Sequence, residues 1–435
     1  MYSEKDKNQI DLAEKLAKEQ NFAGALAIYR QLSTDCLAQF SYWQAKTYGK
    51  VLRKTGNLEE AITYFENLEA QKPLDKYTLS EFAWCLYEAV IKPAEKVDER
   101  VLFAMNKIVS LCIQEQYSPY AKAVLQFMAL LMKQANPEYK KVLEWSQKLD
   151  AAKLPADAFF WKDESGKEIT KGSDKERYYS MVIKCLCNLK EYQECYYQIE
   201  EVLAVLTTFN NNRDFWFNWY KVKALHGLKR NDEAVALLEQ LLSRKEDWFV
   251  HHELGTIFLE EKQYDKALKI FAAAALAYGE PDKKVHVFEK LAETLHLLGR
   301  DEESRRNIML AVSLYQESEW AVNPAALKLL NDVGGSMENK RPAAEQVREL
   351  KQGWNKMVYS DESAQQGKIE KLIAEGTRGF IRSDKGESYF FQMKSVIGKG
   401  SKAKIGDKVT YHLKKGFDSK KNKTVMNAVN IKIMG

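Results

Sequence analysis

GNLEEAITYFENLEAQKP (56–73) decides the reading of this chain. A turn at Gly56-Asn57 leads to Leu58, then Ala61 three residues on, then Phe65 four further. The same order recurs in KQYDKALKIFAAAALAYGEP (262–281), with Tyr264, Ala267 and Phe271, and in EQNFAGALAIYRQLS (19–33), with Phe22, Ala25 and Tyr29. Weaker copies are NPEYKKVLEWSQKL (136–149), KEYQECYYQIEEVL (190–203), KRNDEAVALLEQLL (229–242) and GRDEESRRNIMLAV (299–312). A preceding helix recurs too, as YWQAKTYGKVLRKTG (42–56) and WFVHHELGTIFLEEK (248–262). The small residues Gly49 and Gly255 allow close helix approach, and the Ala positions do the same from the partner helix. A unit of about 34 residues that cannot bury its own apolar face must stack on its neighbours.

Outward from these copies, residues 1–332 keep helical periodicity with short breaks. The whole chain has 435 residues, 45% apolar and 29% charged, with only eight prolines and 21 glycines. That describes a folded, helix-rich protein of about three domains' length. No apolar run of about 18 residues exists to span a membrane. The opening MYSEKDKNQIDLAEK is charged throughout and has no apolar signal core. Cys36, Cys85, Cys112, Cys185, Cys187 and Cys195 sit inside apolar stretches and read as buried thiols of a reducing compartment. The expected location is therefore cytoplasmic.

The repeat copies resemble the tetratricopeptide repeat (TPR). Residues 42–73 and 248–281 match its Gly, Tyr/Leu, Ala, aromatic and Pro positions, while 74–136 is irregular. The resemblance covers most of 8–315 and implies a binding scaffold rather than a reaction. Leu154–Asp174 interrupts the array. Phe159, Phe160 and Trp161 precede the polar run KDESGKEITKGSD, so this is read either as a loop pinned by its aromatics or as an exposed recognition loop. Ser173 and Glu176 offer a capping box for the next helix. Residues 333–359 are expected to supply a capping helix, with Pro342 in its first turn and Val347, Leu350, Trp354 and Met357 on one face. SDESAQQG (360–367) reads as a short linker, placing a boundary at 360–366.

From Gly367 to Gly435 there are 16 Lys+Arg and 6 Asp+Glu, a balance of +10, against 50 and 55 in the remaining 366 residues. A strongly basic end on a mildly acidic body suggests a polyanion-binding module. Its period changes from helix to strand. GKIEKLIA, RGFIRSD, ESYFFQMKS, GDKVTYHLKKG and VMNAVNIKI form five candidate strands with Gly punctuation, which suits a small five-stranded OB-type barrel. The expected fold class is thus mainly α, a TPR-like α-solenoid over 1–332 followed by a small β-barrel over 367–435.

Gly379-Phe380-Ile381 and Tyr389-Phe390-Phe391 resemble the two ribonucleoprotein motifs of the cold-shock domain. The resemblance implies that strand aromatics stack on bases of single-stranded RNA or DNA while lysines follow the phosphates. Carried over, it nominates Lys368, Lys371, Arg378, Phe380, Arg382, Phe390, Gln392 and Lys394, with Lys385 nearby. The family's aromatics are replaced by Lys371, Arg378 and Met393, and its His by Gln392, so the stacking platform is reduced. Arg378 can still stack through its guanidinium plane and Lys371 can meet phosphate. The other reading is a repurposed barrel that docks protein, with Phe380 and Phe390 as core. Lys420, Lys421 and Lys423 fall in a loop where they add charge.

Catalytic chemistry is not visible. Gly398-Lys399-Gly400 lacks the spacing and hydroxyl of a phosphate-binding loop. His251-His252-Glu253 has no second His at metalloprotease spacing. Cys185 and Cys187 point about 200° apart on a helix, and Cys195 occupies the repeat's Ala position, so structural thiols are favoured over a metal site. No enzyme activity, metal or cofactor is expected.

Trp43, Lys46, Lys50 and Arg53 stand at i, i+3, i+7 and i+10 on one helix face. In the TPR register that face lines the inner groove, joined by Arg177 and Lys184 and then by Trp216, Trp219, Lys223 and His226. It is either a solvated basic face whose aromatics pack between repeats or a groove for an acidic partner: an acidic peptide, a C-terminal carboxylate or nucleic acid. Lys50 stands where the terminal-carboxylate clamp of some TPR domains has Asn. The expected function is a non-enzymatic adaptor, with a protein partner in the groove and single-stranded RNA or DNA on the barrel. The alternatives are a pure protein–protein scaffold with a repurposed OB barrel, as an accessory subunit of a bacterial stress or genome-conflict system, to whose accessory proteins TPR-plus-cold-shock chains are similar, and an enzyme subunit or regulator carrying activity in trans.

Overall fold

Copies of the motif share one backbone device. The residue between the two helices of a pair is left-handed at Gln20, Gly56, Lys190, Lys229, Lys262 and Gly299, with φ from 60° to 79°. One such residue ends the first helix and reverses the chain, so the second helix runs back beside it. The computed structural model describes residues 3–162, 165–338, 341–360, 363–397, 403–418 and 423–434. The chain divides into two compact units, Met1–Ala224 and Leu225–Gly435.

In the first unit, the helices Glu4–Lys18 and Phe22–Tyr29, Tyr42–Lys54 and Leu58–Gln71, Tyr120–Lys133 and Tyr139–Ser146, and Asp174–Asn188 and Tyr192–Val205 form pairs. Tyr42–Lys54 begins at a capping box made by Ser41 and Gln44. Apolar residues at the motif positions fill the space between layers: Ala25, Tyr29, Ala61, Phe65, Cys195 and Ile199 are buried. Gly49 is required by contact, because a Cβ there would lie 2.1 Å from the Phe65 ring. The irregular stretch after residue 74 contains the helix Lys76–Leu86, which continues into a π-helical turn, Tyr87–Ile91, and then the helix Glu99–Leu111.

The interruption at 154–174 is a β-hairpin rather than a loop. Strand β1 (Phe159–Lys162) pairs antiparallel with β2 (Glu168–Lys171). Phe160 is 68% exposed, so its ring does not pin the hairpin to the helices. The Ser173 capping box is half formed: Ser173 accepts from the Glu176 amide, but the Glu176 carboxylate accepts instead from Arg213 Nε at 3.1 Å.

The second unit continues with the pairs Trp248–Glu260 and Tyr264–Leu276, and Val285–Leu297 and Asp301–Glu317. The helix Ala343–Val358 closes their apolar layer. Its Trp354 is buried, stacks on Phe288 with centroids 5.4 Å apart, and donates to Asn307 Oδ1 at 2.8 Å. Leu350 and Met357 are buried beside it and Val347 packs against the same layer, as their spacing predicts.

The change from helix to strand lies inside this second unit. Strand β3 is Gln365–Ile373, opening two residues inside the stretch read as linker, whose Asp361 and Glu362 lie outside the described residues. It is followed by β4 (Arg378–Ser383), β5 (Ser388–Gln392), β6 (Val396–Ile397), β7 (Lys408–Asp418) and β8 (Lys423–Ile433). The order is β5-β4-β3-β7-β8-β6, and a parallel pairing of β5 with β8 at Phe390 and Asn427 closes five strands into a barrel. Ile369, Ile381, Phe391, Val409, Tyr411, Ala428 and Ile431 fill its interior. The chain is thus a TPR-like helical array with a C-terminal closed five-stranded β-barrel.

Candidate nucleic-acid interface and helical groove

On the barrel, period-two alternation sends Ile381 and Phe391 inward and Phe380, Arg382, Phe390 and Gln392 outward. Gly379 makes this possible: a Cβ there would lie 2.5 Å from the Lys371 carbonyl and 2.6 Å from the Phe391 ring. A bulge between Ile369 and Lys371 resets the register of β3, so Lys371 pairs with Phe380. Phe380 in turn pairs with Phe390. Lys371, Phe380 and Phe390 therefore form one row across three strands. Flanking rows hold Arg378 opposite Gln392 and Arg382 opposite both Lys368 and Ser388. All eight nominated residues lie on β3, β4 and β5 or in the 3-10 turn Met393–Ser395 that follows.

The two phenylalanines are half-buried and meet edge to face, with centroids 5.7 Å apart at 69°. Lys368, Lys371, Arg378, Gln392 and Lys394 are exposed. Arg378, Gln392 and Lys394 also line an open hollow of about 710 Å³, with Leu372 and Met393 as its apolar wall. Sequence reasoning missed Glu370. Its carboxylate accepts from Arg382 Nε at 3.1 Å and Nη2, and from Ser388 Oγ at 3.2 Å. The Arg382 guanidinium holds Glu370 below the usual carboxylate range. Arg382 thus presents a neutralised charge, unlike Lys368 and Lys371. Lys420 and Lys421 lie outside the described residues, as does Gly398-Lys399-Gly400. Of the 420–423 lysines only the backbone of Lys423, opening β8, is described.

Where the barrel meets the helices of its unit, Tyr359 stacks on His412 with centroids 4.6 Å apart, and Lys414 Nζ lies 2.7 Å from Glu246. His251, in the neighbouring helix, is buried, and burial with help from the Lys414 charge lowers its pKa to about 4.

In the first unit, Trp43 and Lys50 are exposed, and Lys46 holds its ammonium 4.3 Å from the Trp43 ring centroid. Arg53 differs from its neighbours. Its side chain is only 8% exposed and pairs at 2.6 Å with both Glu81 and Glu88. Burial works against the charged guanidinium, and the two carboxylates outweigh it. Arg53 also lies over Trp84, which meets Tyr87 edge-on at 5.7 Å, and Arg177 acts electrostatically on Tyr87. Trp43, Lys46, Lys50 and Arg53 thus share the helix Tyr42–Lys54, with Arg53 turned inward, while Arg177 pairs with Asp174 at 3.5 Å on the helix Asp174–Asn188. Lys184 is exposed on the helix Asp174–Asn188. Trp216, Trp219 and Lys223 share the helix Arg213–Gly227, with Lys223 Nζ 5.9 Å from the Trp219 ring. His226 belongs to the second unit, where its Nδ1 lies 2.7 Å from Glu253, and that bond raises its pKa.

Cys185 Sγ contacts Met132 Sδ at 3.4 Å, and burial raises its thiol pKa to about 12. Among the described residues no group of three His, Cys, Asp or Glu side chains could hold a metal ion, and no helix is long and apolar enough to cross a membrane.

Among solved structures, a tetratricopeptide repeat protein from Parabacteroides merdae aligns over 76% of this chain and 99% of its own, at 12% identity and a TM-score of 0.30. The Cut9–Hcn1 hetero-tetramer of the APC/C covers 82% of this chain and 67% of its own, at 14% and 0.30. YrrB, described as a TPR protein with an unusual peptide-binding site, covers 57% and 97%, at 15% and 0.30. No curated protein matches the chain. Residues 215–349 match the model of a family described as a domain of unknown function, DUF7017.

Proposed function

We propose that this protein is a non-enzymatic adaptor that holds a protein partner on its helical groove and single-stranded RNA or DNA on its barrel. The observation that carries the barrel half is the row Lys371–Phe380–Phe390, which sets two partly exposed rings beside an unneutralised ammonium. That pairing of π-faces with cations is what sequence-tolerant single-strand binding needs. The strand order, with its parallel closure between β5 and β8, supports an OB-type, cold-shock-like barrel, a fold whose second and third strands, here β4 and β5, present the face that binds oligonucleotides. The hollow between Arg378 and Lys394 has the size of a small-ligand site and adjoins that row. We treat 1–332, 333–359, 360–366 and 367–435 as scaffold, cap, linker and binding module, with the module's first strand opening two residues earlier, at Gln365.

On the groove, exposed Trp43 and Lys50 with half-buried Lys46 support an anionic protein partner. An intracellular adaptor fits the buried thiols, with no cofactor required. The test is fluorescence anisotropy of a labelled mixed-sequence 20-mer RNA, and its DNA counterpart, with the full chain at rising salt. Saturable binding at low salt that falls steeply with salt supports the barrel reading. Absence of binding at low salt leaves the pure protein scaffold.

A further inference from the structure

Around Lys46 the first unit carries a run of aromatic rings, each with a lysine ammonium against it. Lys46 Nζ lies 4.3 Å from the centroid of Trp43 and 5.5 Å from that of Tyr77. Lys76 Nζ lies 5.0 Å from Tyr77 and 5.6 Å from Tyr117, and the two tyrosine rings are 5.0 Å apart. Lys122 Nζ lies 5.3 Å from Trp84, whose Nε1 donates to the Tyr117 carbonyl at 2.8 Å. These residues come from the helices Tyr42–Lys54, Lys76–Leu86 and Tyr120–Lys133 and from the turn at Tyr117, so the run crosses successive layers of the array. Trp43, Tyr77 and Tyr117 are exposed.

The lysines here differ from Arg53 and Arg177 of the same unit. Arg53 is matched by Glu81 and Glu88, and Arg177 by Asp174. Among the described residues, no carboxylate stands within 4.0 Å of Lys46, Lys76 or Lys122. A ring face attracts an ammonium but leaves its charge unneutralised, with N–H donors still available to an incoming anion. The rings thus act as pedestals for three unneutralised charges, with Lys76 and Lys122 exposed and Lys46 half-buried. The ring faces on which bases would stack are occupied by the ammoniums, which weighs against a nucleic-acid strand and for carboxylates.

We propose that this run binds an extended, Asp/Glu-rich segment of a protein partner, its side-chain carboxylates meeting Lys46, Lys76 and Lys122 while the tyrosine hydroxyls reach its backbone. The inference rests on the groove reading above and specifies the chemistry of that partner.

The probe is a fluorescein-labelled deca-glutamate peptide, amidated at its C-terminus so that no terminal carboxylate contributes, titrated into the full chain. Deca-glutamine and a mixed-sequence 20-mer RNA serve as comparison ligands. Saturable binding of deca-glutamate, weakened at least tenfold in Lys46→Gln/Lys76→Gln with an unchanged far-UV melt, supports the proposal. RNA binding lost in the same variant overturns it, because the run then serves nucleic acid. A parallel arm immobilises the full chain and captures a partner from native lysate. If deca-glutamate neither binds nor competes, yet capture is lost in the variant, the acidic-segment inference fails and the groove reading stands. If the variant captures the partner like the wild type, both fail.

Discussion

Phe380 and Phe390 face each other across the β4–β5 ladder with ring centroids 5.7 Å apart, and Lys371 stands beside Phe380 on the third strand. This row is short. Two rings offer stacking for one or two bases, each worth roughly 1–3 kcal/mol. In the proposed binding of a single strand, phosphate contacts must therefore supply much of the affinity, and the charges around the row decide its strength.

Glu370 sits among those charges and ties up Arg382. Replacing Glu370 with Gln should free the guanidinium, tighten binding of a single-stranded oligonucleotide by about threefold, and steepen its salt dependence. Arg382→Ala should change affinity less than Lys371→Ala, because Lys371, unlike Arg382, presents an unneutralised charge. Anisotropy titrations at four salt concentrations check both; for single strands the log–log slope changes by about 0.7 per phosphate contact.

Arg53 and Lys46 share a helix face but not a role. Arg53→Ala leaves Glu81, itself buried, without its partner, and should cost roughly 3–5 kcal/mol. Lys46→Ala and Lys50→Ala should stay within about 0.5 kcal/mol of wild type. Urea unfolding of the three variants measures the contrast, and it shows why charge reversal at Arg53 is a poor probe of binding.

Gly49 and Gly255 test the repeat packing. A Cβ at Gly49 would lie 2.1 Å from Phe65, and one at Gly255 would lie 2.8 Å from Phe271. Gly49→Ala should destabilise by roughly 1–3 kcal/mol and Gly255→Ala by less. The double variants Gly49→Ala/Phe65→Leu and Gly255→Ala/Phe271→Leu should recover part of the loss in thermal melts, since shortening the ring makes room for the methyl.

Two histidines of the second unit give opposite pH slopes. His226 has its pKa raised above the usual 6.5 by the Glu253 hydrogen bond. Its contribution is fully present below about pH 6.5 and is lost as pH rises through the folded value. His251 has its pKa lowered to about 4 by burial. Between pH 6.5 and 4 the unfolded chain takes up a proton that the folded chain refuses, so stability falls as pH falls through that window. His251→Phe should flatten the acid-side loss, and His226→Asn should lower stability near pH 6 more than near pH 8. Denaturant midpoints across pH 4–8 check both.

The array was legible because its determinants are local. Gly49 and Phe65, or Gly255 and Phe271, lie within one repeat, and the left-handed turns at Gly56 and Lys262 fall at the same place in each copy. The barrel strands were legible from alternation and Gly punctuation, and the eight nominated residues do share one region of it. Pairings between distant residues were not legible. Arg53 meets Glu81 and Glu88 from the following repeat, and Lys46 meets Tyr77 across two helices. Glu370 reaches Arg382 because a bulge at Ile369/Lys371 changes the register of β3. The hairpin at 159–171 escaped because FFWK does not alternate between apolar and polar residues and EITK holds a single apolar residue, too little for a strand signal.

Everything proposed for the barrel turns on whether the Phe380–Phe390 row binds single-stranded nucleic acid. The most direct measurement is the affinity of the full chain and its Phe390→Leu variant for a mixed-sequence 20-mer RNA, beside a thermal melt of each. Leucine keeps apolar volume against Phe380 and removes the π-face. Binding should be about tenfold weaker in the variant, with an unchanged salt slope and a melting temperature within a few degrees of wild type. Equal affinity of the two folded proteins, or no binding by wild type at low salt, would contradict it.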